Sequence, residues 1–379
     1  MPERVARGRV LFVANVAWFF VSHRLPLAVA TRRAGYDVHV AANPDGADPI
    51  VASGLPFHPL PVVRSATGIW NDVALLRSLG HLYRSVRPDL VHHVTLKPVI
   101  YGSLAARRED VPWVVNAVSG MGTLALASGA RAQVRRSIVR PLLRLGTNRP
   151  NVRVIFQNPQ DQAEYVAAGL VQTDRTVLIP GSGVDLDAFR PSPAPAGVPR
   201  VVLPARIIYD KGVGEFVAAA RLLRSRGVEA RFALVGGLDP HNATEVAADT
   251  VQQWVAEGVV EWWGHRTDMA EVLREASIVC LPSYREGMPK ALLEAAAAGR
   301  PIVTTDTPGC RGCVEPGHTG ILVPPRDAVA LADALEALIA DPHRREAFGA
   351  AGRALAERSF GLQQVIDRHL ELYGRLLRA

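Results

Sequence analysis

Glu286 and Glu294 are separated by seven residues, none of them acidic, and Gly287, Met288 and Lys290 lie between them. A helix that begins inside this stretch presents the free backbone N–H groups of Gly287 and Met288, together with the ammonium group of Lys290, to an anion. The pattern therefore predicts a phosphate site. Carboxylates are poor ligands for phosphate, so we expect the two acids to bind hydroxyl groups, one set on a sugar ring and the other on a ribose. A helix cap at Glu286 and a surface acid at Glu294 are the alternative interpretation.

A strand, a turn and a helix are predicted to position these groups. The apolar run Ser277–Leu281 is typical of a buried strand. The alanine-rich segment after it predicts a helix that begins near Pro289 and ends at Gly299, since proline suits the first turn of a helix and glycine its end.

A second candidate phosphate loop, Pro-Ala-Arg-Ile-Ile-Tyr-Asp-Lys-Gly, follows the predicted strand Val201–Ala205. It contains Arg206 and Lys211, and a solvent-exposed loop is the alternative interpretation. Only three of the 43 basic residues are lysines, namely Lys97, Lys211 and Lys290, and each lies in a candidate phosphate loop. Because a lysine ammonium is a compact charge for phosphate, this distribution favours a clamp for a diphosphate.

Apolar strands and amphipathic helices alternate along the whole chain, which predicts an α/β architecture built on doubly wound parallel sheets. The prolines between Phe189 and Pro199 predict a stiff spacer. We therefore expect two Rossmann-like domains that face each other across a cleft, at 1–187 and 188–361, with a helix at 362–379 that returns to the first. The predicted strands are Val10–Ala14, Tyr36–Ala42, Pro88–Val94, Trp113–Asn116, Val152–Phe156, Val177–Pro180, Val201–Ala205, Arg231–Val235, Val259–Trp263, Ser277–Leu281, Pro301–Thr304 and Gly320–Val323.

Several classes of protein are disfavoured by the sequence. Neither half has Gly-x-Gly-x-x-Gly after its first strand, and there is no Gly-x4-Gly-Lys-Ser/Thr, so a dinucleotide cofactor and a P-loop have no support. Three cysteines argue against a disulfide framework and favour a reducing, cytoplasmic compartment. Cys310 and Cys313 form a Cys-x-x-Cys in an apparent loop, but a second pair for tetrahedral zinc is missing. We predict no metal.

The N-terminal run Val10–Val21 follows three arginines and imitates a secretory signal, but it contains polar and aromatic residues and leads into further predicted elements. It is also too short to span a bilayer, which takes about 20 apolar residues. We predict neither a signal peptide nor a transmembrane helix.

Motifs in both halves carry a resemblance to a known family. In the second half they are Arg206 with Lys211, Leu234–Gly237, Trp263–Asp268, Glu286–Pro289 with Glu294, Gly299–Val303 and Gly317–Val323. In the first half they are His93–Gly102, Ile155–Asn158 and Ile179–Asp185. The second half resembles the retaining glycosyltransferases of family 4, which have the GT-B fold. The first half is similar to bacterial members that extend polyprenyl-diphosphate-linked sugars for capsule, O-antigen or protein glycosylation.

The resemblance implies roles for residues of the second half. Arg206 and Lys211 would hold the donor diphosphate and stabilise the leaving nucleoside diphosphate without a metal ion. Glu286 would contact donor-sugar hydroxyls, with the backbone of 287–289 along the sugar and phosphate, and Glu294 would bind the ribose.

Further donor contacts are expected from Gly264–Asp268, which with Arg266 would cradle the base, and from Gly236 and Lys97. The resemblance implies UDP as the carrier, although no residue excludes GDP. Retention in this family is usually attributed to front-face attack assisted by the departing phosphate, so no protein nucleophile is expected.

The sequence departs from the family pattern at three places. The first loop, 15–20, lacks a glycine pair, and an acid usually found after Gly-Cys-Arg is replaced by Gly312. Many members of the family have a His-x-His whose second histidine reaches the reacting sugar. In this sequence that position is Val94, and His92 and His93 come just before it. Alternation along a strand allows only one of the two to face the cleft. His93 is predicted to contact the sugar, with a structural role as the alternative.

The formal net charge of +7 arises in the N-terminal half, where residues 1–190 have 22 Lys and Arg against 13 Asp and Glu, while residues 191–379 have 21 against 23. A candidate membrane-binding helix spans 131–145, with apolar residues on one face and arginines around it; a core helix with a solvated basic face is the alternative. These residues are Val134, Ile138, Leu142, Leu145, Arg131, Arg135, Arg140 and Arg144. We therefore predict reversible attachment to the anionic inner face of the cytoplasmic membrane.

Three other functions were weighed against a transferase. A nucleic-acid-binding protein would explain the basic charge, but the sequence has no recognition motif and its arginines are not interleaved with stacking aromatics. A sugar-nucleotide epimerase shares the two-domain fold but lacks the Arg206, Lys211 and Glu-x7-Glu set. A binding protein without turnover is the third.

Overall fold

The computed structural model describes residues 7–62, 69–118, 130–240 and 242–378, with only the backbone for 69, 130–132, 134–136 and 138. The chain divides into two compact units. The first unit is Met1–Ser182 together with Val365–Ala379, and the second is Gly183–Gln364. The sequence had placed these boundaries at 187/188 and 361/362.

The predicted spacer at 189–199 lies within the second unit rather than between the two units. Arg353 Nη1 donates hydrogen bonds to the carbonyl oxygens of Leu186 and Phe189, at 3.1 and 2.9 Å. Arg300 Nη2 lies 2.5 Å from Ser192 Oγ. These bonds attach the proline-rich segment to the second unit, a placement that its proline content alone could not reveal.

The first unit contains a seven-stranded parallel sheet in the order β3-β2-β1-β4-β5-β6-β7. The strands are β1 (Arg9–Val16), β2 (Asp37–Asn43), β3 (Phe57–Pro59), β4 (Leu90–Val94), β5 (Trp113–Val118), β6 (Val152–Phe156) and β7 (Thr176–Leu178). All five residues of β4 are buried, as expected for a central strand with elements packed on both faces.

Helices flank this sheet, and the C-terminal helix packs beside them. They are α1 (Ala17–His23), α2 (Leu25–Arg33), α3 (Asp48–Ala52), α4 (Ile69–Val86), α5 (Ser103–Arg108), α6 (Ala130–Thr147), α7 (Pro159–Ala167) and, at the C-terminus, α15 (Leu362–Leu376). A π-helical turn, Pro98–Gly102, precedes α5. Two elements have no predictive pattern in the sequence. They are β3, a three-residue edge strand bordered by prolines, and α1, whose N-cap Val16 makes no side-chain capping bond.

The second unit contains a six-stranded parallel sheet in the order β10-β9-β8-β11-β12-β13. Its strands are β8 (Arg200–Pro204), β9 (Arg231–Val235), β10 (Glu261–Trp262), β11 (Ile278–Leu281), β12 (Ile302–Thr305) and β13 (Gly320–Val323). Its helices are α8 (Val213–Ser225), α9 (Ala248–Ala256), α10 (Met269–Arg274), α11 (Lys290–Ala297), α12 (Pro308–Arg311), α13 (Ala328–Ala340) and α14 (Pro342–Ser359).

Both sheets have the doubly wound arrangement that the sequence predicted. In each, the chain starts in the middle, winds to one edge, and then returns to continue on the other side. The direction reverses between β1 and β4 in the first unit and between β8 and β11 in the second. Because ligands of such sheets bind beyond the carboxyl ends of the strands at this reversal, the loops after these four strands are the places to look for a site.

Every helix among the described residues is too short or too polar to cross a bilayer.

Candidate functional site

The loops after β8 and β11 bring Lys211 and Glu286 together although 75 residues separate them in sequence. Their side chains form an ion pair and are only 19% and 12% exposed. Ser283 Oγ lies 2.7 Å from Glu286 Oε1 and 3.1 Å from the carbonyl oxygen of Asp210. Glu286 is therefore held from both loops, and the alternative in which it only caps the following helix does not describe this structure.

Glycine is required next to Lys211 for two reasons. Gly212 has φ of +73°, and a Cβ on it would overlap the carbonyl oxygen of Pro282. The backbone N–H of Tyr284 donates to the carbonyl oxygen of Asp210 over 2.9 Å, which joins the two loops directly. The close approach that glycine permits is what lets Lys211 reach Glu286.

Helix α11 begins at Lys290, with Pro289 in an extended conformation at its N-cap, and Gly299 follows its last turn with φ of +68°. Lys290 Nζ lies 2.9 Å from Glu294 Oε1, one turn further along the helix. Glu294 is buried, with a side chain 7% exposed, so the surface-acid interpretation is wrong. Burial raises the pKa of Glu294, and the charge of Lys290 acts against this shift.

Gly287 and Met288 lie in the turn between β11 and α11, as predicted. A Cβ on Gly309 would overlap the carbonyl oxygens of Glu286 and Gly287, so helix α12 packs tightly against this turn. Met288 is partly buried against the second hydrophobic core of the unit. The turn therefore packs directly against the backbone of α12, a contact that the sequence alone did not show.

Arg206 forms an ion pair with Asp239, a residue that the sequence analysis missed. The side chain of Asp239 is 7% exposed, whereas that of Arg206 is 39% exposed, so the buried acid orients a cation that is open to solvent. Asp239 comes two residues after Gly237, in the loop that follows β9. An acid just beyond a strand end was the available signal, but nothing in the sequence tied it to Arg206.

Gly236 has a structural reason to be glycine. A Cβ on it would overlap the carbonyl oxygen of Ala205, and its own carbonyl oxygen accepts a hydrogen bond of 2.9 Å from Trp262 Nε1. Close packing of the loops after β8 and β9 thus explains this residue without a ligand. Its predicted contact with the donor stays a prediction.

Arg266 binds within its own loop. Its Nε and Nη2 donate to Asp268 Oδ1 and Oδ2 over 2.7 and 2.5 Å, and this bidentate contact lowers the pKa of Asp268 to about 2. The pair fixes the segment 264–268 that is predicted to cradle the base. Contact of Arg266 with a nucleotide is not tested by this arrangement.

His93 lies in the core of the first unit with both ring nitrogens occupied. Its Nδ1 is 2.7 Å from Asn116 Oδ1, and its Nε2 is 2.8 Å from the Tyr83 hydroxyl. His92 points to the other face of β4, where its Nδ1 lies 2.5 Å from the Tyr373 hydroxyl. Both histidines are fully buried, so the structure favours the structural alternative for His93 over the predicted contact with the reacting sugar.

Burial of His93 should make the first unit sensitive to acid. Burial lowers the pKa of His93 to about 4, against a usual value near 6.5. His93 therefore takes up a proton at a higher pH in the unfolded chain than in the folded protein. Because of this difference, the free energy of unfolding should fall by about 3 kcal/mol as pH falls from about 6.5 to about 4. Urea unfolding of wild type and His93→Gln at pH 7 and pH 5 measures it: the variant should lose less stability between the two pH values. His343→Gln, at an exposed histidine, should leave the wild-type slope, and an equal slope in all three proteins would contradict the assignment.

Lys97 follows β4 in the first unit, and its Nζ lies 3.8 Å from Asp72 Oδ1. It therefore belongs to a different unit from Lys211 and Lys290. The three lysines that the sequence grouped by type are divided by the fold into two sets.

The candidate membrane helix 131–145 lies within α6, which runs through Pro141. Arg140, Arg144 and Leu145 are exposed, Leu145 by 46%. The side chains of Arg131, Val134, Arg135 and Ile138 lie outside the described residues.

Cys310 and Cys313 are both fully buried, and Cys310 lies in the short helix α12 where the sequence analysis expected a loop. Burial raises the pKa of Cys310 to about 11, so its thiol is not activated as a nucleophile. In the part of the chain that the structure describes, no group of three His, Cys, Asp or Glu side chains is arranged to hold a metal ion. The predicted independence from a metal stays a prediction.

Comparison with known proteins gives the same division of the chain. Residues 198–341 match the family described as glycosyl transferases group 1, and residues 9–158 match the family described as glycosyl transferase 4-like. These ranges contain the reversal points of both sheets.

Among curated proteins, the chain is 27% identical to the N,N'-diacetylbacillosaminyl-diphospho-undecaprenol alpha-1,3-N-acetylgalactosaminyltransferase of Campylobacter jejuni, over 79% of this chain and 80% of that protein. It is 30% identical to the D-inositol 3-phosphate glycosyltransferase of Xylanimonas cellulosilytica, over 72% and 69% of the two chains. Among solved structures, HepE of Anabaena in complex with UDP and glucose aligns with a TM-score of 0.78 and 19% identity, over 97% of this chain and 99% of that one.

Proposed function

The chain belongs to the group 1, or family 4, glycosyltransferases of GT-B fold, and from that premise we propose that it moves a hexose or N-acetylhexosamine from a UDP-sugar to a polyprenyl-diphosphate-linked sugar. The enzyme is a transferase; the donor and acceptor are the proposal. Support for the acceptor comes from the Campylobacter relative, whose name specifies an undecaprenol-diphosphate-linked sugar. Support for UDP comes from HepE of Anabaena, which shares the fold and whose structure contains UDP and glucose.

The observation that carries the proposal is the pairing of Lys211 with Glu286 at the reversal point of the second sheet. An ammonium group and a carboxylate, fixed side by side and mostly shielded from water, match a ligand that joins a phosphate to a polyhydroxylated ring. Arg206, oriented by Asp239, adds a second cation after the same strand. A hydroxyl-rich sugar on a diphosphate is the chemistry that satisfies all three groups.

In this reaction each of these residues has a separate role. Lys211 and Arg206 bind the diphosphate and stabilise the negative charge that develops on it as the bond to the sugar breaks. Glu286 accepts hydrogen bonds from donor-sugar hydroxyls and sets the orientation of the ring. Glu294 accepts a bond from the ribose, and the turn 287–289 lies along the phosphate. The acceptor hydroxyl attacks from the face that the diphosphate leaves and passes its proton to the departing phosphate oxygen, so the donor configuration is retained.

The test is a release assay with purified protein in EDTA. UDP-GlcNAc, UDP-GalNAc, UDP-glucose and GDP-mannose are each supplied with and without a polyprenyl-diphosphate-sugar, and the nucleoside diphosphate is measured. We expect release of UDP from one donor, only with acceptor present. Release that requires Mg²⁺ or Mn²⁺ would contradict the proposed independence from metal. Release of GDP alone would show that the nucleotide of the donor is GDP rather than UDP.

Glu294→Gln should weaken UDP binding about tenfold, because one hydrogen bond from a ribose hydroxyl to a buried carboxylate is lost. Calorimetry with UDP and 2′-deoxy-UDP measures the effect. Wild type should prefer UDP, and the variant should bind both nucleotides about equally. Glu229→Gln, at an exposed acid of the same unit, serves as the control. A variant that keeps the wild-type preference for ribose would remove Glu294 from the nucleotide site.

We also propose that helix α6 attaches the protein to the anionic inner face of the cytoplasmic membrane, where such an acceptor would lie. Exposed Arg140 and Arg144, next to exposed Leu145, support it. Arg140→Glu with Arg144→Glu should reduce cosedimentation with phosphatidylglycerol vesicles at least about tenfold, since each basic residue near such a surface contributes about 1 kcal/mol. Arg32→Glu with Arg33→Glu makes the same change of charge on α2, and an equal loss there would show a general charge effect.

A further inference from the structure

Asp72, Lys97 and Tyr101 form a polar cluster after the central strand β4 of the first unit. Asp72 lies in the first turn of α4, Lys97 follows β4, and Tyr101 lies in the π-helical turn Pro98–Gly102. The Tyr101 hydroxyl donates to Asp72 Oδ2 over 2.7 Å, and Lys97 Nζ is 3.8 Å from Asp72 Oδ1. The side chains of Asp72 and Lys97 are 28% and 23% exposed, so part of the cluster faces solvent.

One oxygen of this cluster lacks a donor. Asp72 Oδ1 is buried and receives no hydrogen bond from any residue that the structure describes, while Lys97 Nζ is beyond hydrogen-bond range. An ionised carboxylate only accepts hydrogen bonds, so this oxygen needs an O–H or N–H donor, which a bound ligand can supply. Tyr101 already occupies the other oxygen and thereby fixes the plane of the carboxylate.

The backbone beside the cluster is strained. Thr95, the residue directly after β4, has φ of +77°, and its Oγ1 is a second buried atom without a hydrogen-bond partner among the described residues. A β-branched residue rarely adopts this left-handed conformation, and such strain together with a π-helical turn is most often found at functional sites. Both features lie at the β1/β4 reversal, where the sheet is expected to bind its ligand.

The charge of the cluster indicates the class of ligand. Asp72 and Lys97 compensate each other, so the cluster offers no net positive charge to a phosphate, and Asp72 Oδ1 would repel one. A neutral ring with several hydroxyls or an acetamido group can supply the missing donor to Asp72. This assignment moves Lys97 away from the donor phosphate, where the sequence analysis had placed it.

We propose that Asp72, Lys97 and Tyr101 select the terminal sugar of the acceptor, with Asp72 Oδ1 accepting a hydrogen bond from one of its hydroxyl or acetamido N–H groups. The inference rests on the proposed function, because it assumes a sugar acceptor bound by the first unit. Asp72 is the group that contacts the sugar. Tyr101 is a positioning residue that acts through Asp72.

Steady-state kinetics of the full chain test this, with saturating donor and the polyprenyl-diphosphate-sugar that wild type uses. Asp72→Ala should raise the acceptor KM about ten- to a hundredfold, as expected for losing a hydrogen bond to a charged group, with kcat changed less than about threefold. Tyr101→Phe should raise it less, about three- to tenfold, and it keeps the test available if the alanine variant does not fold. Asp174→Ala, at an exposed acid of the same unit, should match wild type. The donor KM should stay constant throughout.

Acceptors that each lack one hydroxyl or acetamido group identify the partner of Asp72. With wild type, one of these acceptors should show a rise in KM about as large as the rise that Asp72→Ala causes with the parent acceptor. With Asp72→Ala, the KM of that acceptor should not rise further. The inference is overturned, while the proposed function stands, if removing each group from the acceptor raises the KM equally with wild type and with Asp72→Ala. It is also overturned if Asp72→Ala raises the donor KM instead of the acceptor KM. If wild type turns over no lipid-linked sugar, the proposed function fails and the inference with it.

Discussion

Lys211→Ala should lower kcat/KM for sugar transfer about 10²- to 10³-fold, the loss expected when a preorganised group that stabilises developing charge is removed. In the proposed reaction the diphosphate gains negative charge as the bond to the sugar breaks, and Lys211 is the more buried of the two cations after β8. The measurement is kcat/KM with the donor identified in the release assay.

This variant also leaves Glu286 without its cation, and an unpaired buried charge can cost about 3–5 kcal/mol of stability. Lys211→Met combined with Glu286→Gln removes both charges at once. Its thermal stability should lie close to that of wild type while its activity stays lost. If the double variant regained transfer along with stability, Lys211 would be a structural residue rather than a ligand of the diphosphate.

Glu286→Gln should lower kcat about 10²-fold while the affinity for free UDP changes less than about threefold. The substitution keeps the size of the side chain but removes the charge that holds the hydroxyls of the donor hexose, and free UDP lacks that hexose. The affinities for UDP and for the intact UDP-sugar, measured side by side by calorimetry, separate the two effects.

Ser283→Ala provides the matched control for Glu286. It deletes the hydroxyl that lies 2.7 Å from Glu286 Oε1 but leaves both the carboxylate and Lys211 in place. We expect a loss of only about three- to tenfold, because the hydroxyl only orients a carboxylate that keeps its charge and its ion pair with Lys211. Full activity in Glu286→Gln, or a loss of UDP affinity as large as the loss of kcat, would show that Glu286 does not bind the donor sugar.

Most elements of the second unit could be predicted because they have strong local patterns, whereas α12 was expected to be a loop. The strand Arg231–Val235 has the predicted bounds, and α11 begins within one residue of the prediction at Pro289. Short apolar runs between glycine and proline punctuation define buried parallel strands well. The edge strand β3, with three residues and no apolar run, offers no such pattern.

The partners within the site were harder to predict than its loops. Nothing local links Asp239 to Arg206 or Asp72 to Lys97. The first pair forms only where β8 and β9 end side by side, and the second only where the first turn of α4 lies next to the loop after β4. Alternation along β4 separated His92 from His93 but could not say which faced a ligand. Because elements cover both faces of that sheet, neither histidine is exposed.

The most direct test of the central proposal is the structure of the product made by wild type from a UDP-sugar and a polyprenyl-diphosphate-sugar in EDTA. Mass spectrometry should show the acceptor extended by one sugar, and NMR should show that the new glycosidic bond keeps the α configuration of an α-linked donor. A product of inverted configuration would contradict the front-face mechanism. Free sugar or an isomerised nucleotide sugar, with no extended lipid, would contradict transfer to a lipid-linked acceptor.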